Sequence, residues 1–294
     1  YCYITCRKLP PFFEHKHRIV YSHIENVKLT SEIQHPAVRA ALDWKGGAEG
    51  LEIHHDGDLP ARSGLGSSSS FVVGLLHALA ALDGKLALKE QLAVDAIELE
   101  QNIIGEHVGS QDQVSVAYGG LNQITFHEDD SFTVTPVTLS RQRKELLESH
   151  LMLFFTGVSR ISSNIAKSTI ENLSKRATEL MRMHEMVTEG GALLQDENEP
   201  IERFGELLGE AWRYKRSLSK NVSSAYIDDL FQAAIKAGAT GGKILGAGGG
   251  GFLMIFADPA RQTAVRNALQ GLTYVPLGLE SDGSQIIFNK PDGV

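Results

Sequence analysis

Residues 60–70 read Pro60-Ala61-Arg62-Ser63-Gly64-Leu65-Gly66-Ser67-Ser68-Ser69-Ser70, and an apolar run, residues 71–82, follows at once. A glycine and serine turn that feeds the start of a helix is physically an anion cradle. Gly64 and Gly66 let the backbone approach a ligand closely. The first N–H groups of the following helix have no partner inside it, and the helix dipole adds attraction for negative charge, so phosphate is the natural guest. The hydroxyls of Ser67, Ser68, Ser69 and Ser70 add neutral donors and a ligand for a magnesium ion. Two plainer readings compete: a flexible Gly/Ser linker, and a serine-capped helix with no ligand. Against the linker, the stretch opens on Leu59-Pro60 and ends in an apolar helix.

Working outward, the chain of 294 residues is long enough for one large domain or two ordinary ones. With 42% hydrophobic and 22% charged residues it has an ordinary globular composition. The net charge of −8 and the lack of a basic stripe argue against nucleic acid as a partner. No apolar run has the length needed to cross a bilayer, and no basic-then-apolar leader opens the sequence. Cys2 and Cys6 share one face of a strand-like start and are too far apart to bridge within it. They read as reduced thiols of a cytoplasmic protein.

Residues 1–6 alternate like a strand with no preceding turn or cap, as if an upstream partner were absent. Residues 18–22 and 51–55 are further strand candidates, and Pro36 suits the first turn of a short helix over 36–43. His54 and His55 read as strand residues, because no third ligand lies at a useful spacing. Residues 85–104 predict one helix with Gly105 as its C-cap. Its apolar rows are Leu92/Ala96/Leu99/Ile103 and Ala93/Ile97/Ile104. Glu100 falls in the second row and points inward, whereas Glu98 joins Gln91, Asp95 and Asn102 on the polar face. An inward carboxylate needs a partner; a Lys or Arg and a metal ion fit equally well at this point. Asp112, after the loop 106–110, is a candidate cap for a short helix over 113–117.

A strand pair is expected at 121–126 and 132–138, and the charged segment 141–150 reads as a domain boundary. Beyond it come an apolar strand (151–155), helices over 162–194, 200–218 and 224–236, the segment 243–256, a helix (258–270) and strands at 273–279 and 284–290. This is a split βαβ plan with extra helices. Gly246-Ala247-Gly248-Gly249-Gly250-Gly251 matches G-x-G-x-x-G, but that fingerprint requires a helix next. Phe252-Leu253-Met254-Ile255-Phe256 is a strand instead, so the glycines join two strands. They form either a loop closing over a ligand or a tight hairpin. A Walker A reading of Gly242-Lys243 fails, because Ala237 stands where its first glycine is needed and Ile244 replaces Ser/Thr.

A cradle of the form P-x-x-x-G-L-G-S-S, an acid twelve residues before an Asp, and a late G-A-G-G-G-G loop together resemble the superfamily of galactokinase, homoserine kinase, mevalonate kinase and phosphomevalonate kinase, the GHMP kinases. Within it, residues 1–27, 34–36, 59–71, 212–219 and 241–256 look like the heptose 7-phosphate kinases, with the bifunctional fucokinases as relatives. The resemblance implies an α+β fold of two domains: a ribosomal S5-like N-terminal domain (1–148) and a ferredoxin-like C-terminal domain (149–294), with ATP and sugar in the cleft between them. It implies transfer of phosphate from ATP, with Mg2+, to the anomeric hydroxyl of heptose 7-phosphate, on the way to a GDP-activated heptose for surface polysaccharide. A free-sugar kinase of fucose type is the alternative, and a catalytically inactive sugar sensor on the same scaffold is the third reading.

By position, the resemblance assigns Gly64, Leu65, Gly66, Ser67, Ser68 and Ser69 to the ATP phosphates, and Ser68 with Glu100 to the magnesium ion. Asp112 corresponds to the acid beside the sugar hydroxyl, and Gly246, Ala247, Gly248, Gly249 and Gly250 belong to the loop shaping the cleft. Two departures stand out. Arg62 replaces the usual glycine; it can reach a phosphate or brace the loop, and bracing is preferred. The first motif of the superfamily, a P-x-R-x-x-F-x-G-G-T-D-like segment, is missing ahead of the strand that residues 1–6 resemble, so the N-terminal domain is expected to lack its first strand. For the sugar phosphate, Lys16, Arg18, Arg160, Arg213, Lys215 and Arg216 are candidate cations, with Arg213 and Lys215 favoured.

Overall fold

The computed structural model describes residues 1–46, 50–61, 63–158 and 162–290, with backbone alone for 162–164. Arg62 and Arg160 therefore lie outside the described residues. Contacts divide the chain into two units: residues 1–61, 66–120 and 280–294 form the first, and residues 62–65 and 121–279 the second.

The first unit is built from β1 (Cys2–Lys8), β2 (His17–Val20), β3 (Ile24–Val27), α1 (Pro36–Trp44), β4 (Leu51–Gly57), α2 (Ser67–Leu82), α3 (Lys89–Ile97), a π-helical turn (Glu98–Ile103) and α4 (Gln111–Tyr118). Its sheet has the order β1-β4-β2-β3; β4 runs antiparallel to β1 and parallel to β2. Cys2 and Cys6 lie half-buried on one face of β1, both as free thiols, and burial pushes the Cys6 thiol up to about 12. The apolar helix α2 packs on β1. Gly74 permits the close approach, since a Cβ there would stand 3.0 Å from Cγ1 of Ile4.

The helix expected over 85–104 changes character after Ile97. The N–H of Ile104 reaches the carbonyl of Leu99, five residues back, and the N–H of Glu106 reaches that of Glu100. The wider turn rotates Ile103 out of its expected apolar row, to 39% exposure, while Leu99 and Glu100 both stay buried. The terminal segment returns to this unit. Gly120 N–H donates to Glu280 O, and Ser284 N–H to Val116 O. Among the described residues, 284–290 form no strand; Ile287 and Phe288 are largely exposed. A strand was expected there, but among the described residues no neighbouring strand pairs with it.

The second unit contains β5 (Asn122–Phe126), β6 (Phe132–Pro136), α5 (Arg141–His150), β7 (Leu151–Phe155), α6 (Ser162–Ile170), α7 (Ala177–Gln195), α8 (Glu202–Leu218), α9 (Ala225–Lys236), β8 (Gly241–Ile244), β9 (Phe252–Phe256), α10 (Gln262–Ala268) and β10 (Thr273–Val275). β5 and β6 form a separate hairpin, and the four-stranded sheet has the order β10-β7-β9-β8, antiparallel throughout. This is the expected split βαβ order, although β10 stops at Val275, short of the expected 279. The expected boundary at 148/149 falls inside this unit. Arg143 of α5 explains why: its buried guanidinium donates to the carbonyls of Leu193, Leu194 and Glu199, and Leu147 shares a core with Leu194, Ile201 and Phe256.

Helix α8 lies on β8 with almost no side chain between the backbones. A Cβ on Gly241 would sit 1.8 Å from the carbonyl oxygen of Gly205, and one on Gly205 would sit 2.3 Å from Oγ1 of Thr240. Gly241→Ala is therefore expected to destabilise the chain by about 2 kcal/mol. The check is a lower denaturant midpoint with an unchanged slope.

Candidate active site

In the first unit, Gly66 stands at the N-cap of α2 in the left-handed region (φ 65°, ψ 26°), and no side chain caps that helix end. Only glycine takes this conformation cheaply. Gly66 carries no side chain to accept from the first turn of α2, and a helix N-terminus of this kind suits an external anion. Its serines are organised by Glu100, which is 1% exposed. Ser68 Oγ donates to Oε1 of Glu100 at 2.9 Å, and Ser69 Oγ to Oε2 at 2.8 Å. Gln113 Nε2, fully buried on α4, also donates to Oε2.

Among the described residues no Lys or Arg forms an ion pair with Glu100. Of the two partners the sequence left open, the basic side chain is thus not seen. Burial raises the Glu100 carboxyl above its usual range, and the hydrogen bonds from Ser69, Ser68 and Gln113 oppose that shift. Among the described residues, three neutral donors hold the carboxylate and no basic side chain pairs with it. Magnesium fits this donor set: it takes oxygen ligands, and adjacent ligands of an octahedral ion lie about 2.9 Å apart. Ser68 Oγ and Glu100 Oε1 have that separation, and a hydroxyl that donates to a carboxylate keeps its lone pairs for a metal.

Asp112 lies in the first turn of α4, whose N-cap position is held by Ser110. It is therefore not the cap that the sequence allowed for. Its side chain sits against the cradle: a Cβ on Gly66 would be 3.3 Å from Cγ of Asp112. Gln113 and Ser69 are partners of Glu100 that sequence reasoning missed. Gln113 follows Asp112 directly, but nothing in the pattern marks it as buried.

In the second unit, the described residues just ahead of Gly66 are stitched to the glycine loop between β8 and β9. Phe252 N–H donates to Ser63 O at 3.1 Å. A Cβ on Gly64 would stand 2.7 Å from the carbonyl oxygen of Leu245, and one on Gly251 would stand 2.0 Å from that of Ser63. The loop is further anchored by Gly249 N–H to Val222 O at 2.8 Å and Gly251 N–H to Val158 O at 2.6 Å. Gly248 and Gly250 pack against the carbonyls of Val222 and Val158, and Ala247 packs on the hydrophobic core. The glycines join two antiparallel strands with no helix after them, as the sequence required when it excluded a dinucleotide site.

The favoured cations behave differently from one another. Lys215 donates through Nζ to the carbonyl of Gly246, tying α8 to the glycine loop. Arg213 is exposed and lines an open recess of about 430 Å3 with Arg216, Ser217, Ser219, Lys220, Ser223 and Asp228. Arg216 is paired with Asp228. In the first unit, Arg18 lies 3.8 Å from the buried Glu52.

The pattern of the GHMP kinases N terminal domain matches residues 31–120, and that of the GHMP kinases C terminal matches residues 192–274. A D-glycero-alpha-D-manno-heptose 7-phosphate kinase from Campylobacter jejuni is 32% identical over 228 residues, 75% of this chain and 65% of that protein. A bifunctional fucokinase/GDP-fucose pyrophosphorylase from Arabidopsis thaliana is 28% identical over 72% of this chain, which spans 20% of that protein. In fold, a D-glycero-D-manno-heptose 1-phosphate kinase from Bacteroides thetaiotaomicron superposes with a TM-score of 0.70 at 24% identity, covering 96% of this chain and 85% of that one. Both halves of the sequence pattern and the α+β architecture agree, and the chain belongs to the GHMP kinase family.

Proposed function

We propose that this chain transfers phosphate from ATP, with magnesium, to the anomeric hydroxyl of a sugar phosphate, D-glycero-α-D-manno-heptose 7-phosphate foremost, giving the 1,7-bisphosphate. The observation that carries the reading is the buried Glu100 carboxylate, held by Ser68 and Ser69 in the first turn of the helix that follows Gly66 and lacking a basic partner among the described residues. The choice of sugar rests on the similarity to the Campylobacter jejuni enzyme.

Phosphoryl transfer asks mainly for positioning and charge neutralisation. In this reading the cradle, Gly64, Leu65, Gly66, Ser67, Ser68 and Ser69, holds the ATP phosphates through backbone N–H groups and hydroxyls. Ser68 and Glu100 hold the magnesium ion, which neutralises charge on the phosphates when bound. Asp112 takes the proton of the sugar hydroxyl as the new bond forms. Gly246, Ala247, Gly248, Gly249 and Gly250 form a rigid backbone wall, and Lys215 braces it through Gly246. Arg213 is the partner of the sugar's distal phosphate, with Lys220 beside it in the same recess.

Arg213→Ala is expected to raise KM for the sugar phosphate about tenfold, the scale of one charged hydrogen bond, with kcat nearly unchanged. Steady-state kinetics with sugar phosphate varied at saturating ATP checks this. A second reading, a fucose-type 1-kinase, is favoured by the similarity to the plant fucokinase. Phosphorus NMR of products from heptose 7-phosphate and from L-fucose separates the two. A new anomeric phosphate on the heptose alone supports the first reading, and one on fucose alone overturns it.

A further inference from the structure

We propose that His150, Glu202 and Asp258 form a binding site for one zinc ion. His150 closes α5, Glu202 opens α8, and Asp258 follows β9, all in the second unit. One ligand atom from each lies within 4.8 Å of the others. The imidazole is 4% exposed and stacks on Phe256, with centroids 5.2 Å apart and planes at 28°. Its Nδ1 lies 2.9 Å from the carbonyl oxygen of Leu146 and 3.2 Å from Ser149 Oγ, whose own proton goes to that same carbonyl. A carbonyl only accepts, so Nδ1 carries the proton, and in the neutral ring Nε2 presents a lone pair.

Nε2 faces the two carboxylates. Nε2 is buried and has no hydrogen-bond partner, and Glu202 Oε1 at 3.8 Å is beyond hydrogen-bond reach. A buried nitrogen facing two carboxylates calls for a positive charge between them, and a metal ion on the Nε2 lone pair supplies it. The Nδ1–H to carbonyl bond is the support that metal-bound histidines ordinarily have, fixing both tautomer and ring orientation. One imidazole and two carboxylates suit zinc, with bonds of about 2.0–2.2 Å. Glu202 is half-exposed, with Oε1 3.8 Å from Nε2. Asp258 uses Oδ1 to accept from Ala260 N–H at 2.6 Å, which leaves its other oxygen for the metal. Three protein ligands leave a fourth position for water. The ion would fasten the end of α5, the start of α8 and the exit of β9 into one joint.

The test is titration of the EDTA-stripped chain with zinc chloride, followed by calorimetry and thermal unfolding. We expect one equivalent to bind with a rise in Tm of about 5 °C at a hundredfold excess over Kd. Glu202→Gln and Asp258→Asn should each weaken binding by about tenfold or more, and His150→Gln should abolish it. Cobalt(II) should give a visible d–d band with the wild type and none with His150→Gln. If His150→Gln does not fold, the other two variants still decide, since neither carboxylate is fully buried. No binding by the wild type, or equally tight binding by Glu202→Gln and Asp258→Asn, overturns the proposal. Neither outcome touches the kinase reading, which uses none of these residues.

Discussion

Asp112→Asn is expected to lower turnover by about a hundredfold or more, the scale of a general base, while KM for ATP stays near the wild-type value. The substitution keeps shape and nearly all volume, so the packing of this side chain against Gly66 is preserved. What it removes is the negative charge and the ability to take up a proton. Because Asp112 sits in the first turn of α4, losing its charge also costs a few tenths of a kcal/mol of helix-dipole stabilisation. That cost is too small to change the folded fraction. A measured kcat that falls with an unchanged Tm locates the loss in the chemical step. Unchanged turnover would mean that Asp112 only supports the cradle, and the proton would need another acceptor. Asp112→Ala separates the contributions further, because it also removes the side chain that fills the space beside Gly66.

Three features of the proposed site follow local rules and were legible from them, whereas the roles proposed for Ser68 and Asp112 came from the resemblance to the GHMP kinases alone. The turn at residues 63–70 announces itself by glycine content and by the apolar helix behind it. The inward orientation of Glu100 follows from helical spacing, and its near-complete burial agrees. The hairpin nature of the 246–251 loop follows from the strand after it. What was not legible depends on tertiary contacts. The π-helical turn at Glu98–Ile103 has no sequence signature of its own, and it turns Ile103 outward while keeping Leu99 and Glu100 buried. Gln113 is polar and adjacent to a catalytic candidate, yet only the fold shows that it is fully buried on Glu100. The split of the chain into non-contiguous units was hidden because residues 62–65 join the second unit through the backbone of Ser63 and Gly64, not through side chains. The strand expected at 284–290 is absent among the described residues, where no partner strand lies beside it.

Glu100→Gln tests the metal assignment by moving activity and stability in opposite directions. In the metal-free protein the ionised carboxylate is buried, its donors among the described residues are neutral, and burial raises its pKa above the ordinary 4.5. A carboxyl whose folded-state pKa is raised binds its proton more tightly folded than unfolded. Stability is therefore greatest at low pH and falls as pH climbs from the unfolded value through the folded one. Above that window the wild type bears the full cost of the buried charge, and the neutral amide does not. The amide also fits the network: its oxygen accepts from Ser69 and Gln113, and its NH2 donates to Ser68, whose hydroxyl rotates to accept. In EDTA at about pH 8, Glu100→Gln should thus match or exceed the wild-type Tm, with the difference shrinking towards about pH 5. Activity should go the other way. Losing the anionic ligand is expected to lower kcat/KM on the order of a hundredfold at limiting magnesium, with partial recovery at high magnesium. A variant that is destabilised at high pH yet fully active would make Glu100 a structural acid. A variant that is stable and inactive, with its activity partly restored by magnesium, is the behaviour of a metal ligand.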